Sequence, residues 1–179
     1  ASYRAEAQAS ESIVALFGTG FATTTQTATT LPLPTTLAGV TVLVQDNAGV
    51  ERPAQLFFVS PNQVNLLLPA GLSLGAAALS VVREQHITAA GITTIARAAP
   101  AFFSANASGS GVAAAVLAQQ TVFGETIYLP IASYDAQQNR FVPLPIDVSP
   151  PFFRTLVLFG TGFRALGVAS ATPSTFTVT

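Results

Sequence analysis

The sequence predicts an all-β chain of two related sandwich-type units, the second of them short of strands. Three observations carry this. First, the apolar run Ile13–Phe17 ends in Gly18-Thr19-Gly20-Phe21, and residues 156–159 end alike, in Gly160-Thr161-Gly162-Phe163. A short apolar run closed by glycine reads as a buried strand entering a tight turn. Glycine there permits a positive φ or close backbone approach, and the flanking phenylalanines are expected to reach back into a core. The copies lie farther apart than any solenoid period, so the duplication is on the scale of a domain. Second, short runs rich in β-formers recur along the chain, punctuated by Gly, Pro and Asn. Third, no stretch sustains a 3.6-residue apolar period. A dinucleotide fingerprint would need a third glycine opening a helix and an acidic residue about 20 positions on. Here Phe21 leads into Ala22-Thr23-Thr24-Thr25 and Phe163 into Arg164-Ala165-Leu166-Gly167, and neither is a helix start.

In chain order, residues 2–4 read as a short opening strand and residues 12–17 as the first motif strand. Residues 22–36, rich in Thr and Pro, read as a long surface loop with core-forming content only at Leu31 and Leu33. O-glycosylation of that tract is the alternative. Residues 37–45 alternate well enough for one half-buried strand. Asp46-Asn47-Ala48-Gly49 is a turn, and residues 50–60 form the next strand. Ser60-Pro61-Asn62-Gln63 turns the chain into a strand at 64–68, stopped by Pro69-Ala70-Gly71. Residues 76–84 and 91–97 make a hairpin around a polar tip at Gln85-His86. Ala99-Pro100-Ala101-Phe102-Phe103 closes a first unit spanning residues 1–104.

The small polar run 104–111 reads as a flexible junction. It contains Asn106-Ala107-Ser108, an N-glycosylation sequon in a host that glycosylates. The second unit, residues 105–179, offers strands near 112–119, 126–132, 140–144 and 154–159, with a hairpin loop at 135–139. The run 112–119 is assigned to strand against the helix preference of its Ala and Gln residues. Pro143, Pro145, Pro150 and Pro151 confine their segments to edges or connections. Residues 175–179 alternate as a terminal strand.

Composition excludes whole classes of chemistry. Half the residues are hydrophobic and only 8% are charged, against roughly 25% in ordinary soluble domains. The seven basic residues are all Arg, so there is no phosphate-binding lysine, Schiff base or lysine isopeptide staple. Absence of Cys excludes disulfides, thiol nucleophiles and thiolate metal sites. A net charge of −1 with scattered Arg gives no electrostatic footprint for nucleic acid. No run of about 18 apolar residues spans a membrane. The Thr-rich, nearly uncharged surface points to an extracellular protein that packs against copies of itself. The start at Ala1-Ser2-Tyr3 fits either a processed or a trimmed N-terminus.

Phe17-Gly18-Thr19-Gly20-Phe21 after an apolar strand, then Leu37-Ala38-Gly39-Val40-Thr41-Val42, then Leu56 through Gly71 (LFFVSPNQVNLLLPAG), resembles the IPT/TIG group of immunoglobulin-like domains. The resemblance is closer still to the Solibacter-type C-terminal domain family of large secreted bacterial proteins, and residues 130–148 (PIASYDAQQNRFVPLPIDV) continue it. It covers nearly the whole chain. It implies tandem immunoglobulin-like sandwiches on exported proteins, and it implies no catalytic residues. One departure matters. Only residues 164–179 follow the second motif, and the counterpart of LFFVSPNQVNLLLP is missing.

No group of side chains announces chemistry. His86 is the one imidazole and falls in the expected hairpin tip, no GxSxG elbow is present, and one His cannot form a His-based metal cluster. Asp46 raises the question of calcium, but no EF-hand spacing follows it, and a turn is the default. Asp135 and Asp147 are the acidic pair to weigh in the second unit. Paired carboxylates can hydrolyse glycosides, yet loop capping accounts for both. Tyr128 and Tyr134 could stack on sugars, though Tyr in strands usually serves packing. The expectation is therefore a non-enzyme with no catalytic, cofactor-binding or metal residues. It is expected to be an extracellular or cell-surface structural protein, homo-oligomeric by β-strand addition, forming a fibre or appendage. The alternative is an adhesion or carbohydrate-binding module of a larger secreted protein, taking a surface glycan or protein as ligand. Neither has a nucleic-acid partner.

Overall fold

The computed structural model describes residues 7–147, 149 and 153–164. The expected strands at 2–4 and 175–179 lie outside the described residues. All regular elements among the described residues are strands, as the sequence requires. The first ten are β1 (Ile13–Phe17), β2 (Gln26–Thr27), β3 (Thr36–Leu37), β4 (Val40–Gln45), β5 (Glu51–Pro53), β6 (Gln55–Val59), β7 (Gln63–Leu67), β8 (Gly75–Arg83), β9 (His86–Ile95) and β10 (Ala101–Phe102). They are followed by β11 (Ala115–Gln120), β12 (Thr126–Pro130), β13 (Ala132–Asp135), β14 (Arg140–Pro143), β15 (Arg154–Leu158) and β16 (Gly160–Thr161).

Two antiparallel sheets make the first unit, one ordered β1-β7-β6-β2 and the other β3-β4-β8-β9, with β5 added on β4. Alternation sets what each strand buries. Val40, Val42 and Val44 of β4 and Ala77, Leu79 and Val81 of β8 point inward, against Leu56 and Val59 of β6 and Val64 and Leu66 of β7. Leu56 and Val59 are three apart yet both face the core. A bulge at Phe57 permits this, and the carbonyl it displaces accepts the N–H of Ala28. Each fully buried Val or Leu contributes roughly 1.5–3 kcal/mol, so this sandwich holds most of the apolar burial among the described residues.

The structure revises several expected boundaries. Residues 37–45 are not one strand: Ala38 and Gly39 take φ of 51° and 73°, which makes the two-residue turn joining β3 to β4. Residues 50–60 divide between the two sheets, β5 beside β4 and β6 between β7 and β2. The crossover is buried Ala54, whose N–H donates to Val42 O while Leu56 N–H donates to Pro34 O. The hairpin tip is Glu84-Gln85, with φ of 52° and 65°, and His86 is the first residue of β9, opposite Arg83. Leu31 is exposed rather than core-forming, and Phe21 and Ala22 supply the buried groups at the start of that loop. The expected strand 126–132 breaks at Ile131, whose carbonyl instead accepts Leu144 N–H.

The second unit is thinner. β11 lies between β12 and β15, β13 and β14 form a hairpin, and β10 pairs β16. The Ala-rich β11 is a strand as expected, because both of its edges are paired; tertiary context overrides intrinsic propensity. Leu117 is the one large apolar side chain of this unit that is buried among the described residues. The junction 104–111 is a bonded turn, not a free linker. Ser104 bridges Ala113, Gly109 N–H donates to Ser104 Oγ, and Ser108 N–H donates to Asn106 Oδ1.

Candidate functional site

The two motif turns share one local build. In the first, Phe21 folds its ring over Gly18, where a Cβ would lie 2.5 Å from the ring. In the second, Phe163 covers Gly160 with a corresponding 2.6 Å approach. Gly20 and Gly162 both take positive φ, 73° and 76°. Only the second phenylalanine of each copy folds back in this way. Phe17 and Phe159 stay about half-exposed, contrary to expectation.

Their surroundings differ. Gly18 N–H donates to Asn62 O and Phe21 N–H to Pro61 O, so the first turn is held by the Ser60-Pro61-Asn62 turn. The second turn is held by the segment Ala99-Pro100-Ala101-Phe102. Ala99 N–H donates to Gly162 O, and the rings of Phe102 and Phe163 lie 5.4 Å apart. It is also seated on the base of the first motif strand: Ile13 N–H donates to Thr161 Oγ1 at 2.7 Å, and Arg164 pairs with Glu11 at 2.6 Å. Two copies of one sequence are thus stacked, turn of the second on strand of the first.

The chemical candidates do not converge. His86 is exposed beside the turn. Asp135 ends β13 and Asp147 lies in a separate loop, and each caps its own backbone. The N–H of Gln138, with that of Gln137, holds Asp135 below the usual carboxylate range. The hydroxyl and N–H of Ser149, with Arg154 beyond them, do the same for Asp147. A lowered pKa is the opposite of what a general acid needs. Tyr134 bonds Asn139 and sets its ring edge-on to Phe141 at 5.6 Å; Tyr128 is exposed on β12. No group of three or more potential metal-ligating side chains occurs among the described residues.

Asp46 is a buried anchor. Ala48 and Val50 N–H donate to its Oδ1, and Arg52 and Ser73 N–H donate to its Oδ2 at 2.9 and 3.1 Å. These bonds, Ser73 first and Arg52 second, hold the carboxyl at about 2. Oδ1 thus closes the turn, and Oδ2 ties it to Arg52 and to Ser73.

The second unit also presents exposed apolar side chains. The face of the β12-β11-β15 sheet that carries Leu117 also carries Ile127, Leu129, Leu156 and Leu158. These four remain 36–45% exposed. A mostly apolar pocket of about 190 Å³ lies at β1, its lining including Ile13, Val14, Gln63, Asn65, Phe103 and Ser104. Sequence reading missed the seating of Thr161 on Ile13, because an identical pentapeptide carries no sign of which copy will be buried.

No protein-family model, no curated protein and no solved structure matches the chain. Among the described residues no helix is long and apolar enough to cross a membrane.

Proposed function

We propose that this chain is a non-catalytic structural protein of the cell exterior, a self-associating subunit of a surface fibre in which subunits exchange β-strands. The observation that carries the reading is the row of partly exposed apolar side chains around Leu117 in the second unit. In the first unit the equivalent strand β1 sends Val14 and Leu16 into a core closed by a facing sheet. In the second, Leu156 and Leu158 stand at the matching positions and stay exposed. An apolar face with open strand edges favours association. The facing sheets of the first unit support the immunoglobulin-like reading, and the low charge of the sequence supports contact between copies. Strand addition suits the chain's termini, because backbone hydrogen bonds supply affinity and alternate side chains fill pockets. A contact of this head-to-tail kind propagates as a fibre.

Light scattering on the intact chain, and on chains lacking residues 174–179 or residues 1–4, tests the proposal. Assembly of the intact chain that is lost in one of the deletions supports it. An intact chain that stays a stable monomer, or assembly untouched by both deletions, overturns strand donation.

A further inference from the structure

On the face of the first motif strand that turns away from the core, one small side chain leaves a hollow. Val14 and Leu16 of β1 pack against the core, so alternation turns Ile13, Ala15 and Phe17 to the other face. Their partners across the sheet are Leu67, Asn65 and Gln63, and residues directly opposite share a face. Ala15 is the smallest of the six; the matching position of the second motif copy holds the larger Val157. The pocket of about 190 Å³ lies here, with Ala15, Asn65 and Gln63 in its lining together with Phe103 and Ser104 from the segment after β10. That segment is tied to the second unit. Phe103 N–H donates to Phe159 O, and Ala114 N–H donates to Phe103 O. No charged side chain of the described residues lines the pocket.

The polar groups of the lining are partly ordered within the chain itself. Gln63 Nε2 donates to Asn65 Oδ1 at 2.8 Å. That bond leaves Gln63 Oε1 as an acceptor and Asn65 Nδ2 as a donor, neither with a partner among the described residues. Ser104 Oγ accepts Gly109 N–H at 2.8 Å, and its hydroxyl can still donate. All three residues are only partly buried, so water serves these groups until a ligand replaces it. A charged ligand would meet no counter-charge, and a wholly apolar one would leave the amides unpaired. The ligand that fits must donate and accept over a short span and lay carbon against Ala15 and Phe103. Neighbouring hydroxyls on a ring with a C–H face do both. The volume lies below the roughly 300–1,000 Å³ of pockets for drug-sized ligands, which suits one ring. We propose that this pocket binds a single neutral hexose ring, its hydroxyls on the Gln63 and Asn65 amides and its carbon face on Ala15 and Phe103. All of these residues belong to one chain, so binding is independent of self-association.

Saturation-transfer NMR on the intact chain tests this with the methyl glycosides of glucose, galactose and mannose. The method reads the sugar, so it serves a monomer and an assembly alike. At least one of the three is expected to receive saturation from the protein and to titrate with a dissociation constant of about 1 mM, the weak affinity of a ligand this small. Asn65→Ala should weaken binding about tenfold. Ala15→Leu, which fills the hollow and keeps both amides, should abolish it. Thermal melting checks that each variant is folded, and the one that melts like the parent decides. Saturation of none of the three sugars would overturn the proposal. Binding that survives Ala15→Leu unchanged would place the sugar elsewhere and overturn this site. Cyclohexanol binding that Ala15→Leu abolishes, with no hexoside bound, would make the pocket an apolar one. The methyl glycoside of glucuronic acid binding as well as that of glucose would overturn the neutral-ligand assignment. None of these results bears on light scattering by the intact chain, which tests self-association separately.

Discussion

Replacing Gly20 and Gly162 separately by Ala compares one motif position in two tertiary settings. Both glycines sit at nearly the same positive φ, 73° and 76°, so the backbone cost of an L side chain is shared, roughly 1–2 kcal/mol. A Cβ on Gly20 meets no heavy atom within 4 Å, and that cost is the whole effect. A Cβ on Gly162 would lie 1.9 Å from the Ala99 carbonyl oxygen, an approach that only a backbone shift can relieve. That shift breaks the Ala99 N–H bond to Gly162 O and pulls Thr161 off Ile13 N–H, at about 1 kcal/mol each. Gly162→Ala should therefore cost about 3–4 kcal/mol, some 2 kcal/mol more than Gly20→Ala. Urea denaturation followed by tyrosine fluorescence and by far-ultraviolet circular dichroism measures the difference. Amide exchange at Ile13 reports whether the seat of the second turn has opened. Destabilisations equal within about 0.5 kcal/mol, with Ile13 still protected, would refute the stacking of the two motifs.

Other expectations concern single side chains. Asp46 has a folded pKa of about 2 against an ordinary 3.8. A depressed carboxylate contributes its stability above the unfolded value and loses it as pH falls toward the folded one. Denaturation midpoints should thus fall between about pH 4 and pH 2, and Asp46→Asn, weaker at neutral pH, should lose that part of the slope. An unchanged slope would place the acid-sensitive group elsewhere. His86→Ala should change stability by no more than about 0.5 kcal/mol, since the ring is exposed; a larger loss on thermal melting would contradict the surface placement. Ile92 lies 84% exposed on β9, the last named strand of its sheet among the described residues, which bears no Asp, Glu, Lys or Arg along its length. Ile92→Lys should lower non-specific aggregation on heating with stability kept within about 0.5 kcal/mol; turbidity unchanged from the parent would show the edge to be inert.

Much of the local structure was legible in the sequence because it depends on near neighbours. The alternation of Val40, Val42 and Val44, the stop at Pro69-Ala70-Gly71, the Asp46 turn and the glycine turns at 18–20 and 160–162 each follow from side-chain period or backbone freedom over a few residues. The misplaced boundaries share a different origin. Nothing local to residues 50–60 says that the chain changes sheets at Ala54, and nothing local to Ala38-Gly39 says that the turn comes there rather than at a later pair.

The candidate surface divides in the same way. The sequence by itself determined that Phe17-Gly18-Thr19-Gly20-Phe21 and residues 159–163 would form the same turn. Only the tertiary structure decided that the second turn would sit on Ile13 and Glu11, and that β15 would give its odd edge to β11. Two equal segments have equal local preferences. Which hydrogen-bonding edge each one uses is set by where distant strands arrive, and that depends on the whole chain's packing.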